Sequence, residues 1–262
     1  MKTSKKRYQV KRKKTILKNR IFGQGLLVLA ISAGLFYLMA LAPFFQVKNI
    51  LVSGQEKIAS DWVREIATTV LKRKIIIFES QSIFLIKTNS IKTLITKEFP
   101  AIEELKIKRL WPDSLSIEIE ERQAIGVWCR ELGCFSIDKT GVIFESVKPG
   151  TETKIIIRSE QTSGEIKPGE KKIESKILSL ILDTQKNISE KTNLIIKEFF
   201  LYENDNRLNA KTDEGWQIYF DLNGDLSWQT LELELLLEKT LTPEKRHGLE
   251  YIDLRFDKVF YK

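Results

Sequence analysis

From Ile21 to Val47 the chain has 27 consecutive residues without a charge, and the 20 residues before them hold ten Lys or Arg and no Asp or Glu. At ~1.5 Å per residue a helix of that length reaches about 40 Å, enough to cross a hydrocarbon core of about 30 Å with some tilt. The sequence therefore predicts a basic tail over residues 1–20 and a single transmembrane helix over residues 21–45. Because short basic segments stay in the cytoplasm, we expect the tail to be cytoplasmic and the rest of the chain to be outside.

A cleaved signal peptide is the alternative, because Ala40-Leu41-Ala42 matches the small-residue pattern of a cleavage site. The apolar core of a signal peptide is only about 7–15 residues long, which is shorter than this run. Pro43 follows the candidate site directly, and its ring removes a backbone N–H where a protease must bind extended chain. We therefore expect the segment to be retained as an anchor.

The net charge of +8 arises in the tail, since the remaining residues carry 33 Lys or Arg against 35 Asp or Glu. This balance argues against a basic nucleic-acid-binding surface. The tail itself suits the anionic headgroups of the inner membrane. The sequence therefore predicts contact with inner-membrane lipid and no nucleic-acid partner.

Histidine and cysteine are scarce: the chain contains only His247, Cys129 and Cys134. A structural zinc site needs four such ligands, and a Ser-His-Asp arrangement would depend entirely on His247, which lies in a polar loop sequence. We therefore predict no metal site, no cofactor, no catalytic residue and no small-molecule substrate.

Two local motifs look catalytic but overlap. Residues 138–141, Asp-Lys-Thr-Gly, resemble the phosphorylated-aspartate signature of ion-pumping ATPases, although Val142 replaces the Thr that follows it there. Residues 136–139 and 139–141 match the S-x-x-K and K-T-G motifs of penicillin-binding enzymes, which carry them on separate elements, whereas here both use Lys139. Asp at the first place and Gly at the fourth instead predict one β-turn.

The exterior part begins with a pattern typical of a small mixed domain. Its order is strand, helix, helix, strand, strand, which predicts a three-stranded sheet backed by two helices over residues 46–122. The segments are a strand at 47–53, a helix capped by Ser60, a helix capped by Asn89, and strands at 104–110 and 115–121.

Residues 123–262 read as a mostly antiparallel β domain with flanking helices, which makes the fold class α+β. We predict a surface loop over residues 148–172, since that stretch is rich in turn residues. The predicted strands are 127–129, 134–137, 142–144, 194–201, 207–212, 216–222 and 249–261, and the predicted helices are 173–186 and one beginning at Ser227.

The two cysteines flank a four-residue loop between predicted strands. In that position they form a cross-strand pair whose Cα atoms lie about 4.5–5.5 Å apart, within the range of a disulfide. Disulfides persist outside the membrane, where this part is expected to lie. A bridge between Cys129 and Cys134 and two independent packed thiols both stay open at this point.

Several local motifs occur together in an order that resembles the FtsQ/DivIB family of bacterial division proteins. Residues 45–54 are similar to the strand that opens the family's POTRA domain, and residues 137–144 to the turn that begins its β domain. Further similar segments are Phe99–Ile102, Lys108–Leu115, Glu120–Ala124 and Tyr251–Phe256, which match P-x-I, R-x-W-P-x-x-L, E-R-x-x-A and I-D-L-R-[YF] elements. The sequence departs from the family in lacking a Leu-Gly pair after the late hairpin and in its long apolar stretch at 74–85.

The resemblance implies a non-enzymatic, single-pass membrane scaffold of the division machinery, with a POTRA domain over residues 46–122 and a β domain over residues 123–262. It also implies binding to FtsB/DivIC-like and FtsL-like coiled-coil proteins and, through them, control of septal peptidoglycan synthesis. A membrane-tethered cell-wall enzyme and a POTRA-type chaperone for exported proteins are the alternatives. The chaperone would favour several tandem POTRA units, whereas the sequence contains one.

The final predicted strand is the candidate partner-binding segment. A strand so near the last residue has little chain left to cover it, and an uncovered edge favours addition of a partner strand. We expect Tyr251, Val259 and Tyr261 to anchor the partner; the alternative is a strand buried in mid-sheet or protected by Lys258 and Lys262. Alternation places Ile252, Leu254, Phe256 and Phe260 on the inner face and Tyr251, Asp253, Arg255, Val259 and Tyr261 on the other.

Overall fold

The computed structural model describes residues 20–75, 78–131, 133–148, 155–160, 165–192 and 194–262. The predicted basic tail lies outside this range except for its last residue, as do parts of the predicted loop over 148–172 and residues 76–77 of the apolar stretch at 74–85. Two compact units are present. The first comprises the residues up to Ser53, Lys57–Lys92 and Lys106–Glu118, and the second comprises Gly54–Glu56, Thr93–Leu105 and Ile119–Lys262.

The apolar segment forms a single helix, α1, over Arg20–Ala40. Its stretch from Gly23 to Ala40 is apolar and long enough to cross a membrane, and almost all of it is exposed. The helix ends five residues before the predicted boundary at residue 45, which is a correction. Pro43 explains the difference, because proline has no N–H to continue the helical ladder and disfavours helical geometry in the residue before it. Residues 43–45 instead form a short 3-10 turn.

A three-stranded sheet with two helices follows, which confirms the predicted order of elements. The strand order is β1-β5-β4, with β1 parallel to β5, and β2 and β3 form a separate two-stranded sheet. The elements are β1 Asn49–Ser53, α2 Ser60–Leu71, β2 Arg73–Ile75, β3 Phe78–Ser80, α3 Thr88–Glu98, β4 Ile102–Leu110 and β5 Ser114–Glu121.

Hydrophobic periodicity explains these elements. In β5 the alternate residues Leu115, Ile117 and Ile119 are buried, as period-2 spacing requires. In α2 the buried residues Val63, Ala67 and Leu71 recur every four positions, so that they share one face of the helix. The expected capping by Ser60 and Asn89 is wrong, because both residues lie within their helices.

The remaining strands form one nine-stranded sheet in the order β14-β13-β12-β11-β10-β9-β6-β7-β8. Five of its strand pairs are antiparallel and three are parallel, so the expected mostly antiparallel sheet is confirmed. Helices α4 and α5 contact each other and strands β10 and β12 respectively. The elements are β6 Gly126–Arg130, β7 Gly133–Ile137, β8 Ile143–Val147, β9 Ile155–Ser159, α4 Ser175–Thr192, β10 Ile196–Tyr202, β11 Arg207–Thr212, β12 Gln217–Asp221, α5 Leu226–Lys239, β13 Tyr251–Asp253 and β14 Phe260–Tyr261.

Two expectations for this sheet are wrong. Residues 155–159 were expected in a surface loop, but β9 pairs in parallel with both β6 and β10 and lies in the interior of the sheet. Its Ile-Ile-Ile run is the local signal for a strand, although Pro-Gly pairs on both sides favour a loop. The final strand predicted over 249–261 is instead a hairpin, in which β13 and β14 are separated by residues 254–259.

The main core lies between one face of this sheet and the two helices. Trp216, Phe199 and Phe220 are its largest buried side chains. The β-turn predicted at residues 138–141 is present, since Gly141 N–H donates to Asp138 O at 3.0 Å. Gly141 has a φ of +85°, and a Cβ there would lie 1.9 Å from the carbonyl oxygen of Ile173, so both the backbone conformation and the packing require glycine.

Candidate partner-binding edge

The C-terminal hairpin, residues 251–261, forms one margin of the nine-stranded sheet. Strand β13 pairs in parallel with β12, with Ile218 opposite Ile252 and Tyr219 opposite Asp253. Strand β14 then pairs antiparallel with β13, with Tyr261 opposite Ile252. In the part of the chain that the structure describes, no further strand pairs with the outer side of β14.

The hydrogen-bond pattern shows which backbone groups point away from the sheet. Tyr251 N–H donates to Lys262 O at 3.3 Å, and Lys262 N–H donates to Tyr251 O at 3.2 Å, so these two residues form a hydrogen-bonded pair. In an antiparallel ladder, inward and outward bonding alternate along the strand. The N–H and C=O of Tyr261 are therefore directed to the outer edge, where an additional strand would bind.

The opposite margin of the sheet, at β8, is partly covered. Gly169 N–H donates to Ile143 O at 2.6 Å, and Ile143 N–H donates to Glu170 O at 3.0 Å. These bonds satisfy the outward backbone groups at the beginning of β8. The two edges therefore differ, and β14 is the more accessible one.

The side chains of the hairpin are distributed between the buried and exposed faces differently from the sequence prediction. Ile252 and Leu254 are buried in the main core, as expected. Phe256 and Phe260 were expected on the inner face, but both are exposed, and their rings meet edge to face with centroids 5.8 Å apart. Val259 was expected to anchor a partner, but it packs against the main core. The expectation of one alternating strand fails because the turn over 254–259 interrupts the alternation.

Asp253 and Arg255 form a bidentate ion pair beside β14. Arg255 Nε donates to Asp253 Oδ1 at 2.8 Å, and one terminal guanidinium nitrogen donates to Oδ2 at 2.6 Å. Burial raises the pKa of Asp253, but the hydrogen bonds and charge of Arg255, together with the charge of Arg207, outweigh it and lower the pKa overall. Asp253 is thus a fixed anion that orients Arg255 toward the surface.

Aromatic rings on neighbouring strands extend this surface, and the sequence does not predict the part played by Tyr219 and Tyr202. Tyr219 stacks on Tyr251 with centroids 5.5 Å apart, and the Arg255 guanidinium lies 5.5 Å from the Tyr219 centroid. Arg207 lies 4.1 Å from the Tyr202 centroid on the same face. The alternation of β12 could have placed Tyr219 opposite its buried neighbours, but only the pairing of β12 with β13 brings it next to the hairpin.

The structure joins Cys129 and Cys134 by a disulfide, at directly paired positions of β6 and β7. His247 is exposed. Within the residues described, no three His, Cys, Asp or Glu side chains are grouped so that they could bind a metal ion.

Comparison with known proteins relates parts of the chain to one family. Residues 45–122 match the model of the FtsQ-type POTRA domain. The Streptomyces bingchenggensis protein named Cell division protein FtsQ is 21% identical over 144 residues, which are 55% of this chain and 49% of that protein. The Clostridium acetobutylicum protein named Cell division protein DivIB is 32% identical over 103 residues, 39% of this chain and 38% of that protein. Residues 45–122 are thus similar to an FtsQ-type POTRA domain, and both relatives carry FtsQ or DivIB names, so the chain is similar to FtsQ/DivIB proteins over these regions. Its matched regions span half or less of the length of these two relatives.

Three of the segments that carry the FtsQ/DivIB resemblance, those containing Pro100, Arg122 and Asp138, meet in the second unit. The Arg122 side chain pairs with the carboxylate of Asp138, and its Nε donates to Pro100 O at 3.1 Å. Asp138 Oδ1 accepts hydrogen bonds from the backbone N–H groups of Thr140 and Val142, at 2.9 and 3.0 Å. Asp138 and its neighbours thus stabilise one turn, which is a structural role for the residues that resemble catalytic motifs.

Proposed function

We propose that this chain is a non-enzymatic, membrane-anchored scaffold of the bacterial division machinery. In this proposal the N-terminus is cytoplasmic, and the part after residue 45 binds FtsB/DivIC-like and FtsL-like coiled-coil proteins outside the membrane. Through these partners the protein controls septal peptidoglycan synthesis. The names of its two relatives, both cell division proteins, support the division role.

The outer edge of β14 is the observation that carries the partner-binding part of the proposal. A strand added there would bond to the outward backbone groups of Tyr261, which supply affinity without requiring a specific sequence. The side chains of Phe256, Phe260 and Tyr261 are about half exposed beside that edge and supply apolar contacts. Arg255, held by Asp253, adds a cation that suits an acidic residue on the partner.

A proline substitution at the edge tests this mode of binding. Tyr261→Pro removes an outward N–H, and proline is tolerated on an edge strand when its N–H would face solvent. Tyr261→Ala is the matched control, because it removes the ring and keeps the N–H. The binding partners are the purified DivIC-like and FtsL-like proteins of the same organism, and the full-length chain is used in detergent.

We expect Tyr261→Pro to weaken binding at least about tenfold, the equivalent of one or two lost hydrogen bonds, and Tyr261→Ala to weaken it less. Unchanged circular dichroism and thermal unfolding would show that both variants remain folded. Binding of the folded proline variant at wild-type affinity would exclude strand addition at β14.

The two alternative functions predict other results. A membrane-tethered cell-wall enzyme would release soluble fragments from purified peptidoglycan when added alone. A POTRA-type chaperone would slow the aggregation of unfolded exported proteins and would not distinguish the Tyr261 variants. Either activity at low concentration of the purified chain would count against the scaffold proposal.

A further inference from the structure

The C-terminal end of α1 is hydrogen-bonded to folded residues far along the chain. The carbonyl oxygen of Ala40 accepts from Ser80 Oγ at 2.5 Å and from Gln46 Nε2 at 3.1 Å. The carbonyl oxygen of Met39 accepts from Ser82 Oγ. The last carbonyls of a helix have no partners within the helix, so these bonds satisfy groups that would otherwise need water.

The backbone that follows α1 is fixed to the same segment. Val47 N–H donates to Gln81 O at 3.0 Å, and Ile83 N–H donates to Phe45 O at 2.9 Å. Residues 81–84 are therefore held next to the end of α1. No free linker separates the membrane-spanning helix from the first folded residues of this unit.

Four aromatic rings surround this attachment point. We call Phe44, Phe45, Phe84 and Trp111 the juxtamembrane aromatic cluster. Ring centroids are 5.0 Å apart for Phe44 and Phe45, 5.1 Å for Phe45 and Phe84, and 4.5 Å for Phe84 and Trp111. Two of the rings are open to the surroundings, since Phe44 is 62% and Trp111 is 56% exposed.

The length of α1 puts the cluster at a defined depth. A helix of 21 residues is about 32 Å long, which matches a hydrocarbon core of about 30 Å. The polar layer on each side of that core is about 5–8 Å thick. Phe44 follows the end of α1 by four residues that include a compact turn, so it falls within this layer when α1 spans the membrane.

The charges near the cluster also suit lipid headgroups. The segments 43–48, 81–87 and 108–113, which carry the four rings, contain four Lys or Arg and one acidic residue, Asp113. Two of these cations are in ion pairs, Lys48 with Asp113 at 3.7 Å and Lys108 with Glu118 at 2.8 Å, so the excess positive charge is carried by Lys87 and Arg109. Arg109 donates to the carbonyl oxygen of Ile86 at 2.8 Å, which orients it without neutralising its charge. Aromatic rings combined with cations are typical of residues at the boundary between membrane and water.

We propose that the juxtamembrane aromatic cluster is a second membrane contact, in which Phe44 and Trp111 enter the headgroup layer of the bilayer that α1 spans. The cluster then holds this unit against the lipid surface and limits its rotation about α1. The inference depends on α1 spanning the membrane and is independent of partner binding at β14.

Tryptophan quenching by brominated lipid tests this contact, with Trp62 as a matched control. Trp62 is 61% exposed, close to the value for Trp111. It lies in the first turn of α2, beyond the far end of β1, and β1 leads away from the cluster over about 16 Å. The full-length double variant Trp62→Phe/Trp228→Phe keeps Trp111 as its exposed tryptophan, whereas Trp111→Phe/Trp228→Phe keeps Trp62. Both keep the same two buried tryptophans.

Each variant is placed in nanodiscs of phosphatidylcholine and phosphatidylglycerol, with or without bromine on the acyl carbons nearest the headgroup. We expect bromine to quench the variant that keeps Trp111 at least about twofold more than the variant that keeps Trp62, because interfacial rings contact that depth. Equal quenching of the two variants would overturn the proposal. Absence of quenching in both would also overturn it, since Trp111 would then not reach the headgroup layer.

Discussion

Asp138 provides the sharpest test of how the turn at residues 138–141 is stabilised. Its side chain is only 1% exposed. Oδ1 accepts from Thr140 Oγ1 at 2.7 Å and from the N–H groups of Thr140 and Val142, while Oδ2 is paired with Arg122. Asp138→Ala removes all these acceptors together and leaves a largely buried guanidinium without its carboxylate.

The expected cost follows from these contacts. Removing one partner of a buried ion pair costs about 3–5 kcal/mol, because the other charge stays buried without compensation. At about 2–4 °C per kcal/mol for a unit of this size, a loss of about 4 kcal/mol lowers the melting temperature by roughly 8–16 °C. Asp138→Asn should cost less, since its amide oxygen still accepts from the turn and only the charge is lost.

Urea and thermal unfolding of the full-length protein in detergent measure this cost, with fluorescence of the buried tryptophans as the signal. Asp257→Ala is the control, because that carboxylate is exposed, and its loss should change stability by less than about 0.5 kcal/mol. Equal stability of Asp138→Ala and Asp257→Ala would refute the reasoning. So would an Asn variant less stable than the Ala variant.

The same carboxylate predicts a dependence on pH. Burial raises the pKa of Asp138, but the hydrogen bonds from Thr140, Val142 and Arg122 outweigh it, so the pKa in the folded protein is lowered. A depressed folded-state pKa means that the stabilisation is complete above the ordinary value of about 3.9 and is lost as the pH falls through the folded value. As the pH falls from 5 through the folded-state pKa of Asp138, the free energy of unfolding of Asp138→Asn should therefore fall less than that of the wild type. The difference should correspond to the proton uptake of about one group.

Three further predictions concern other parts of the chain. Gly141→Ala should lower the free energy of unfolding by more than about 3 kcal/mol, whereas Gly215→Ala should lower it by only about 1–2 kcal/mol. Both glycines have positive φ, but only at Gly141 would the added Cβ overlap a neighbouring atom. Similar losses of stability for the two variants in thermal unfolding would contradict this reasoning. Intact mass should rise by about two hydrogens on reduction because Cys129 and Cys134 are bridged, and equal alkylation of both thiols before reduction would exclude the bridge. Protease added outside cells with an opened outer wall should remove the large exterior part and spare residues 1–20, whereas protection of that part would reverse the topology.

Local sequence patterns predicted those structural features that depend only on residues within the same element. The charge-free run predicts α1, and the alternation of Leu115, Ile117 and Ile119 predicts a strand with one buried face. The spacing of Asp138 and Gly141 predicts the turn. These features depend on residues within a few positions of one another, so the sequence alone contains the necessary information.

Local signals were misleading at β9 and in the C-terminal hairpin, and the candidate edge depends on the second of these errors being corrected. Whether Ile155–Ser159 forms a strand depends on β6 and β10, which are separated from it by many residues and supply its backbone partners. Likewise, the exposure of Phe256 and Phe260 and the proximity of Tyr219 to Tyr251 follow from which strands pair and where the turn falls.

Outside β9 and the C-terminal hairpin, the amino-acid sequence by itself determined the anchor, the kinds of element and the faces that they bury, because these follow from periodicity and composition along a short stretch of chain. The tertiary structure decided which strand became the outermost one and which backbone groups were directed outward. It also attached the aromatic rings to the end of α1. Those outcomes are set by hydrogen bonds between distant residues such as Ser80 and Ala40, whose pairing no local pattern encodes.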